Sequence, residues 1–369
     1  MLPVAISTQK PMKVAVAMSG GVDSSAAAAI LLDQGHTAHG VTFRLFGCEI
    51  ARAADGKSCC SQEDVADAMR VSLALGIDHQ VIDFSERFAR DIIEPFTASY
   101  AAGQTPNPCI LCNQHIKFSA FLDWAMEAGF DAIATGHHAR IDHDGQRWQL
   151  RTGADANKDQ TYFLFPLNQE SLPRVLFPVG SFAKPEVRRI AAARALPVAE
   201  KGESQDVCFA AGGSYVEFLE EHAGLKPLPG PIVMVDGTVV GRHAGLHRYT
   251  VGQRQGLGVA WRQPLYVVAK ESAGNRLVVG ERPALNCQGI GAVAAVWTGG
   301  EIPATGTVLT ARIRYRSAAS TAVVVAAGAD SFSLRFEDPM QGVATGQAAV
   351  LYSDDAVVGG GWIATVLGA

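Results

Sequence analysis

The chain has 369 residues, 48% of them hydrophobic, and a formal net charge of −5 at pH 7. That length calls for two or three domains with full cores and excludes wholesale disorder. No apolar run reaches the roughly 20 residues of a membrane span, and the acidic balance does not advertise a nucleic-acid binder, though it leaves room for local basic patches.

Residues 1–12 have no signal-peptide apolar stretch and read as a loose tail, so a cytoplasmic location is expected. Lys13 to Met18 then reads as a short apolar strand. Ser19, Gly20 and Gly21 make a tight turn, and Asp23 or Ser24 is expected to cap a helix that stops near Gly35. A glycine turn opening a helix lets backbone N–H groups approach phosphate oxygens, and the helix dipole favours the anion. No Lys follows the glycines, so this is not the nucleotide loop that ends in Gly-Lys-Ser/Thr.

His39 to Phe46 reads as a second strand and 47–60 as a loop. Ser61 is expected to cap an amphipathic helix, with Asp64 closing an approximate capping box. His79 to Phe84 is a third strand, Arg87 to Ala102 a helix, and Asp131 to Thr135 a further strand leading into Gly136-His137-His138. This alternation predicts an α/β fold with a doubly wound, mostly parallel sheet, whose ligand lies beyond the carboxyl ends of the strands. A hairpin turning at Asp144-Gly145 follows, then a helix over Lys184 to Ala195. From about residue 211 helices become scarce, prolines 227, 229 and 231 punctuate the chain, and short alternating segments predict two small β domains, the last a β-barrel. The expected domains are 13–210 (catalytic), 211–282 (central, β-rich) and 283–369 (C-terminal barrel).

Seven cysteines, an odd number without a secretion signal, argue against a disulfide framework and for reactive thiols, metal ligation or redox chemistry. Thr105-Pro106-Asn107-Pro108-Cys109-Ile110-Leu111-Cys112-Asn113 joins two helices. If Asn113 begins the second one, Cys112 lies at a helix N-terminus and its pKa is lowered, which suits a nucleophile. Cys208 falls at the end of the α/β region. Cys48 and Cys287 read as small buried hydrophobes, and the adjacent Cys59 and Cys60 receive no role.

The frame Ser19-Gly20-Gly21-Val22-Asp23-Ser24-Ser25 resembles the loop of the ATP pyrophosphatase superfamily, whose members cleave ATP between the α and β phosphates. Taken in order with TPNPCILCN, TGHHAR, NKDQTYFL, SQDVCF and GQRQGLG, and with GGGWI near the end, it is similar to the tRNA-specific 2-thiouridylase family. The likeness runs from residue 13 to about 362.

The resemblance implies that ATP adenylylates O2 of the wobble uridine in tRNAs of the Lys, Glu and Gln type. Cys208 then carries the incoming sulfur as a persulfide, and Cys112 frees it as partner nucleophile. Ala17, Met18, Ser19, Gly20, Gly21, Val22, Asp23, Ser24, Phe43 and Gly136 are expected to bind ATP. Mg²⁺ is expected to bridge the phosphates, with Asp23 as a ligand or phosphate-side group. Asn107, Pro108 and Cys109 are expected against the extruded target base. His137, Lys158, Asp159, Gln160, Arg314, Tyr315 and Gln347 are expected to touch tRNA. The sulfur donor implied is a cysteine desulfurase or a sulfur-relay protein, with no membrane involved.

The more familiar members of this family carry Asp where this chain has Cys109. With Cys112 and Cys208 it makes three thiols, so a 4Fe–4S cluster stands as a second reading beside the persulfide–disulfide pair. In the β region Arg242, His243, His247, Arg248, Arg254 and Arg262 gather within 21 residues. Arg312, Arg314 and Arg316 alternate, which predicts one shared strand face turned toward phosphate.

Overall fold

The computed structural model describes residues 10–46, 62–202, 207–210 and 214–368. The chain does not divide at one point. Met1–Ile92 and Cys109–Ser214 form one compact unit, and Ile93–Pro108 with Tyr215–Ala369 form a second.

The first unit is built on five strands: β1 (Lys13–Ala17), β2 (Thr37–Arg44), β3 (His79–Asp83), β4 (Ala132–Ala134) and, after a hairpin of β5 (Ala139–His143) and β6 (Trp148–Thr152), β7 (Val175–Leu176). The sheet order is β3-β2-β1-β4-β7, and every pairing is parallel. Val14, Ala15 and Val16 of β1 have no exposure at all, as expected of a central parallel strand covered on both faces. The order reverses between β1 and β4, so the crevice beyond their carboxyl ends is the topological switch point. Ser19–Ser25 leaves one of those ends and Gly136–His138 the other.

The helix Val22–Asp33 buries nine of its twelve residues. Its run of four alanines, Ala26 to Ala29, lets neighbours approach on both sides. Ala28, Ala29 and Leu31 pack with Val14, Val16 and Val71, whereas Ala26, Ala27 and Ile30 pack with Val187 and Ile190 of the helix Lys184–Ala193. A helix that is apolar all round belongs in the interior. It ends at Gly35, whose φ of +84° only glycine adopts without strain.

Several expectations need correction. Neither Asp23 nor Ser24 caps this helix; Gly21 occupies the N-cap position with no side-chain bond. Asp64 accepts a bond from Lys201 Nζ at 2.6 Å; its capping box with Ser61 falls on a residue outside those described. The loop at 47–60, with Cys48, Cys59, Cys60 and the cap at Ser61, lies outside the described residues; the helix itself spans Gln62–Leu75. The helix expected from Asn113 starts at Pro108, runs through Cys112, continues as a π-wound stretch over Asn113–Ala120 and ends with Phe121–Glu127. Pro108 fits a helix start because its missing N–H is one that has no intrahelical acceptor anyway.

The second unit carries a four-stranded sheet of β8 (Gly230–Met234), β9 (Val239–His243), β10 (Tyr266–Glu271) and β11 (Arg276–Gly280) in the order β10-β11-β8-β9. Then β12 (Asn286–Val296), β13 (Val308–Arg312), β14 (Ser320–Ala327), β15 (Ser331–Gln341), β16 (Ala348–Ser353) and β17 (Ala356–Gly368) pair antiparallel in the order β12-β15-β14-β13-β16-β17. Pairing of β12 with β17 closes the barrel around Ile290, Ala311, Leu334, Leu351 and Ile363. Strand β13 stops at Arg312, and 313–317 is a turn in which Ser317 donates to Arg314 O. The three alternating arginines therefore do not share a strand face. The reason is the hairpin: Ala311 pairs with Ser320, so the residues between must reverse the chain. Among the described residues no helix is long and apolar enough to cross a membrane.

Candidate active site

The Ser19–Ser25 turn is held together by its own hydroxyls. Ser24 Oγ and Ser25 Oγ donate to Gly21 O at 3.1 and 2.8 Å, and Ser19 N donates to Ser24 Oγ at 3.3 Å. Gly20 has φ of +68°, and a Cβ there would lie 2.4 Å from Asp64 O. Gly136 is equally constrained: its Cβ would meet Ser24 N at 2.5 Å and Asp23 C at 2.7 Å. The absent side chain at Gly136 thus lets the end of β4 press against the first turn of the helix that follows β1.

Asp23 is the charged centre of this corner. Lys184 Nζ donates to both of its carboxylate oxygens at 2.7 Å, and His138 Nε2 lies 3.2 Å from Oδ1. Burial pushes the carboxyl's pKa up, but bonds from His138 and Lys184 and the Lys184 charge outweigh it and hold the group below its ordinary value of 3.8. With both oxygens engaged by an ammonium group, Asp23 does not fit the role of a Mg²⁺ ligand. Among the described residues no group of three His, Cys, Asp or Glu is placed to hold a metal ion.

Lys184 is a residue the sequence reading missed. It is the first residue of its helix, where the macrodipole disfavours a cation, and it is only 7% exposed. A buried lysine at a helix N-terminus must answer a nearby anion, and that misfit is the signal available in the sequence. The helix start is fixed by Pro185 and by Ala183 N donating to Glu186 Oε2 at 2.9 Å. His138 was also passed over; it is 2% exposed, and its Nδ1 has no hydrogen-bond partner.

Of the other residues singled out, Phe43 is buried, edge-on to Phe84 and Phe121. His137 is buried beside Phe118 and Phe177, 2.7 Å from Thr135 Oγ1. Burial, reinforced by the Lys117 and His138 charges, drives its pKa well below 6.5. Asp159 is buried and accepts bonds from Thr161 Oγ1 at 2.9 Å and from Gly153 N at 3.3 Å. Gln160 Oε1 accepts from His138 N at 2.8 Å. Gln160 thus braces the His138 segment, whereas Asp159 ties Gly153 to the turn at Thr161.

Cys112 is buried, Cys109 exposed and Cys208 half-buried in a short 3₁₀ turn, with the neighbouring Phe209 edge-on to Phe88. Since Cys112 ends the first turns of its helix rather than starting them, the helix-dipole argument for its reactivity does not hold. The next residue, Asn113, donates Nδ2 to Phe163 O at 2.9 Å, leaving its buried Oδ1 without a partner.

Residues 93–108 belong to the second unit and are tied there through backbone carbonyls. Lys270 Nζ donates to Gln104 O at 2.9 Å, Ser272 Oγ to Ala102 O at 2.5 Å, and Gln347 Nε2 to Thr105 O at 2.7 Å. Thr105 N donates to Thr345 O at 2.9 Å. Arg314 donates to Gln341 O at 3.1 Å, and Arg312 lies over the Tyr352 ring at 5.2 Å.

The chain is similar to known proteins over most of its length. Residues 12–212 match a family described as the tRNA methyl transferase HUP domain, 216–281 the tRNA methyl transferase PRC-barrel domain, and 287–363 the aminomethyltransferase beta-barrel domain. Among relatives, the tRNA-specific 2-thiouridylase MnmA of Syntrophotalea carbinolica is 45% identical, over 96% of this chain and 99% of its own. Proteins of the same name from Geobacter metallireducens and Pelobacter propionicus are 45% and 46% identical, each over 96% of this chain and 98% of theirs.

Proposed function

This chain belongs to the tRNA-specific 2-thiouridylase family and is an ATP-dependent tRNA sulfurtransferase, and on that premise we propose how its residues divide the work. The first half of the reaction is activation. O2 of the wobble uridine, in tRNAs of the Lys, Glu and Gln type, attacks the α phosphate of ATP, and pyrophosphate leaves. The base then carries an adenylyl group on O2, which turns a poor leaving oxygen into AMP. The backbone of 17–24 cradles the phosphates with Gly136 behind it, and Phe43 borders the adenine side. Lys184 places a cation beside the loop. Mg²⁺ would accompany the phosphates of ATP and offset their charge.

The second half is sulfur transfer. Cys208 carries a persulfide received from a cysteine desulfurase or a relay protein. Its terminal sulfur attacks C2, and AMP departs with the former O2. The Cys112 thiolate then attacks Sγ of Cys208, the S–S bond to the transferred sulfur breaks, and the thiolated base is released. A Cys112–Cys208 disulfide remains, and an external dithiol returns both groups to thiols. Asn107, Pro108 and Cys109 face the extruded base. His137, Lys158, Asp159, Gln160, Arg314, Tyr315 and Gln347 lie along the tRNA path, the buried ones acting through the segments they brace.

The observation that carries this reading is the pairing of a Ser-Gly-Gly turn at the switch point with full-length likeness to 2-thiouridylases. Thiolation is favoured over methyl transfer by the relatives' shared name and by Cys112 and Cys208, for which methyl transfer has no use. The test supplies tRNA, ATP and a persulfide donor, then measures AMP, pyrophosphate and 2-thiouridine. All three products are expected together, and both Cys112→Ser and Cys208→Ser are expected to abolish 2-thiouridine. Release of pyrophosphate with no thiolated base from the wild-type enzyme would overturn the reading.

A further inference from the structure

Between β9 and β10 the chain runs through 252–265 without helix or strand. This segment forms a groove of about 730 Å³ lined by Arg254, Leu257, Val259, Trp261, Arg262 and Leu265. Leu257 and Leu265 are buried in the core of the four-stranded sheet with Ile232 and Val267 and fix the segment from beneath. Its outer side is polar and cationic. Trp261 is 43% exposed, and Arg254 and Arg262 are exposed and form no ion pair among the described residues.

The surrounding charge is lopsided. From Gly237 to Lys270 there is no Asp or Glu, yet the stretch holds Arg242, Arg248, Arg254, Arg262 and Lys270 in a chain whose net charge is −5. Arg248 is taken by Glu220 at 2.7 Å, and Lys270 is turned inward to Gln104 O. Arg242, Arg254 and Arg262 are left facing solvent. Cations repel one another unless an anion gathers them. An exposed indole in one groove with two uncommitted guanidinium groups is the composition of a single-strand nucleic-acid platform, where aromatic rings stack bases and arginines take phosphates.

We propose that Trp261, Arg254 and Arg262 form an RNA-docking surface in which Trp261 stacks on an unpaired base of the tRNA and the two arginines hold the flanking phosphates. The proposal rests on tRNA being the substrate. It adds a contact region apart from the residues that the resemblance places against tRNA, although Arg254 stands within the GQRQGLG motif.

The test uses the full-length protein and a substrate tRNA transcript, with equilibrium binding measured over a range of salt. Trp261→Ala is expected to weaken binding about tenfold, whereas Trp261→Phe, which keeps a stacking face, stays within about threefold of wild type. Arg254→Gln with Arg262→Gln is expected to flatten the slope of log affinity against log salt by about 1.4, the share of two phosphates on a single strand. Melting curves matching wild type establish that each variant is folded. Wild-type affinity in Trp261→Ala together with an unchanged slope in the double variant overturns the proposal while leaving the thiolation reading intact. Normal tRNA binding with turnover lost only when a protein persulfide donor replaces inorganic sulfide also overturns it, assigning the groove to a protein. A wild-type enzyme that fails to bind tRNA takes down the thiolation reading and the groove together.

Discussion

Lys184 closes on both carboxylate oxygens of Asp23 at 2.7 Å across 161 positions of sequence. The pair joins the turn after β1 to the start of a helix that follows β7, and His138 adds the segment after β4. Three chain segments thus meet on one carboxylate at the switch point of the sheet. Removing Lys184 leaves a largely buried carboxylate with one partner fewer. Lys184→Met is expected to cost about 2 kcal/mol of stability, the range for hydrogen bonds to charged groups, and to lower tRNA-dependent pyrophosphate release at least tenfold. Thermal melts and a pyrophosphate assay check both. A variant with wild-type release would show that the lysine serves the fold alone.

The same pair gives a pH dependence of known sign. The Asp23 carboxyl is held below 3.8 in the folded chain, so the unfolded chain binds its proton first as pH falls. Its contribution to stability is present above that ordinary value and is lost as pH drops through the lower folded value. Asp23→Asn is therefore expected to flatten the acid limb of the stability curve below about pH 4, measured by denaturant titration at stepped pH.

Lys270 runs the other way. Burial lowers its pKa to about 8 from 10.5, while its amine holds Gln104 O and lies 5.4 Å from the Tyr100 ring centroid. Between those two values the unfolded chain keeps a proton that the folded chain releases, so stability rises with pH through that window. The difference in melting temperature between wild type and Lys270→Met is expected to move in favour of wild type from pH 8 to pH 10. An identical pH profile in both proteins would remove Lys270 as the titrating group.

Gly136 tests the packing of the corner. An alanine there puts Cβ 2.5 Å from Ser24 N and 2.7 Å from Asp23 C, both backbone atoms that cannot swing aside. Gly136→Ala is expected to cost about 1–3 kcal/mol, the usual penalty of overpacking, and to abolish the rise in melting temperature that ATP gives wild type. Gly145→Gln lies at a hairpin tip where nothing lies within 4 Å of an added Cβ, though its φ of +100° carries its own strain. It is expected to leave the ATP-induced rise intact.

Cys109 separates the two sulfur chemistries. It is exposed, while Cys112 is buried. If the persulfide–disulfide pair operates, Cys109→Ser keeps most thiolation activity and the anaerobically purified protein contains neither iron nor acid-labile sulfide. Stoichiometric iron, lost in Cys109→Ser together with activity, would establish the cluster reading.

Much of the molecule was legible because its signals are local. The apolar run of Lys13 to Met18, the Ser-Gly-Gly turn and the Gly35 stop depend on neighbours along the chain, as do the Asp144-Gly145 hairpin and the β-rich second half. Local signals also misled where a longer-range demand decided. Arg312, Arg314 and Arg316 alternate like a strand, yet pairing of Ala311 with Ser320 forces a turn there. The helix around Cys112 starts at Pro108, because proline begins a helix as readily as it ends one.

The order of elements, the phosphate-type turn and the motifs that carry the family likeness are each written in contiguous residues. Tertiary structure alone decided which distant groups meet. It set Lys184 and His138 on Asp23, pressed Gly136 against the helix start, and gave residues 93–108 to the second unit. Those contacts join residues far apart in the chain, and their energies come from burial and charge pairing that exist only once the sheet order is fixed. No spacing along the chain encodes them.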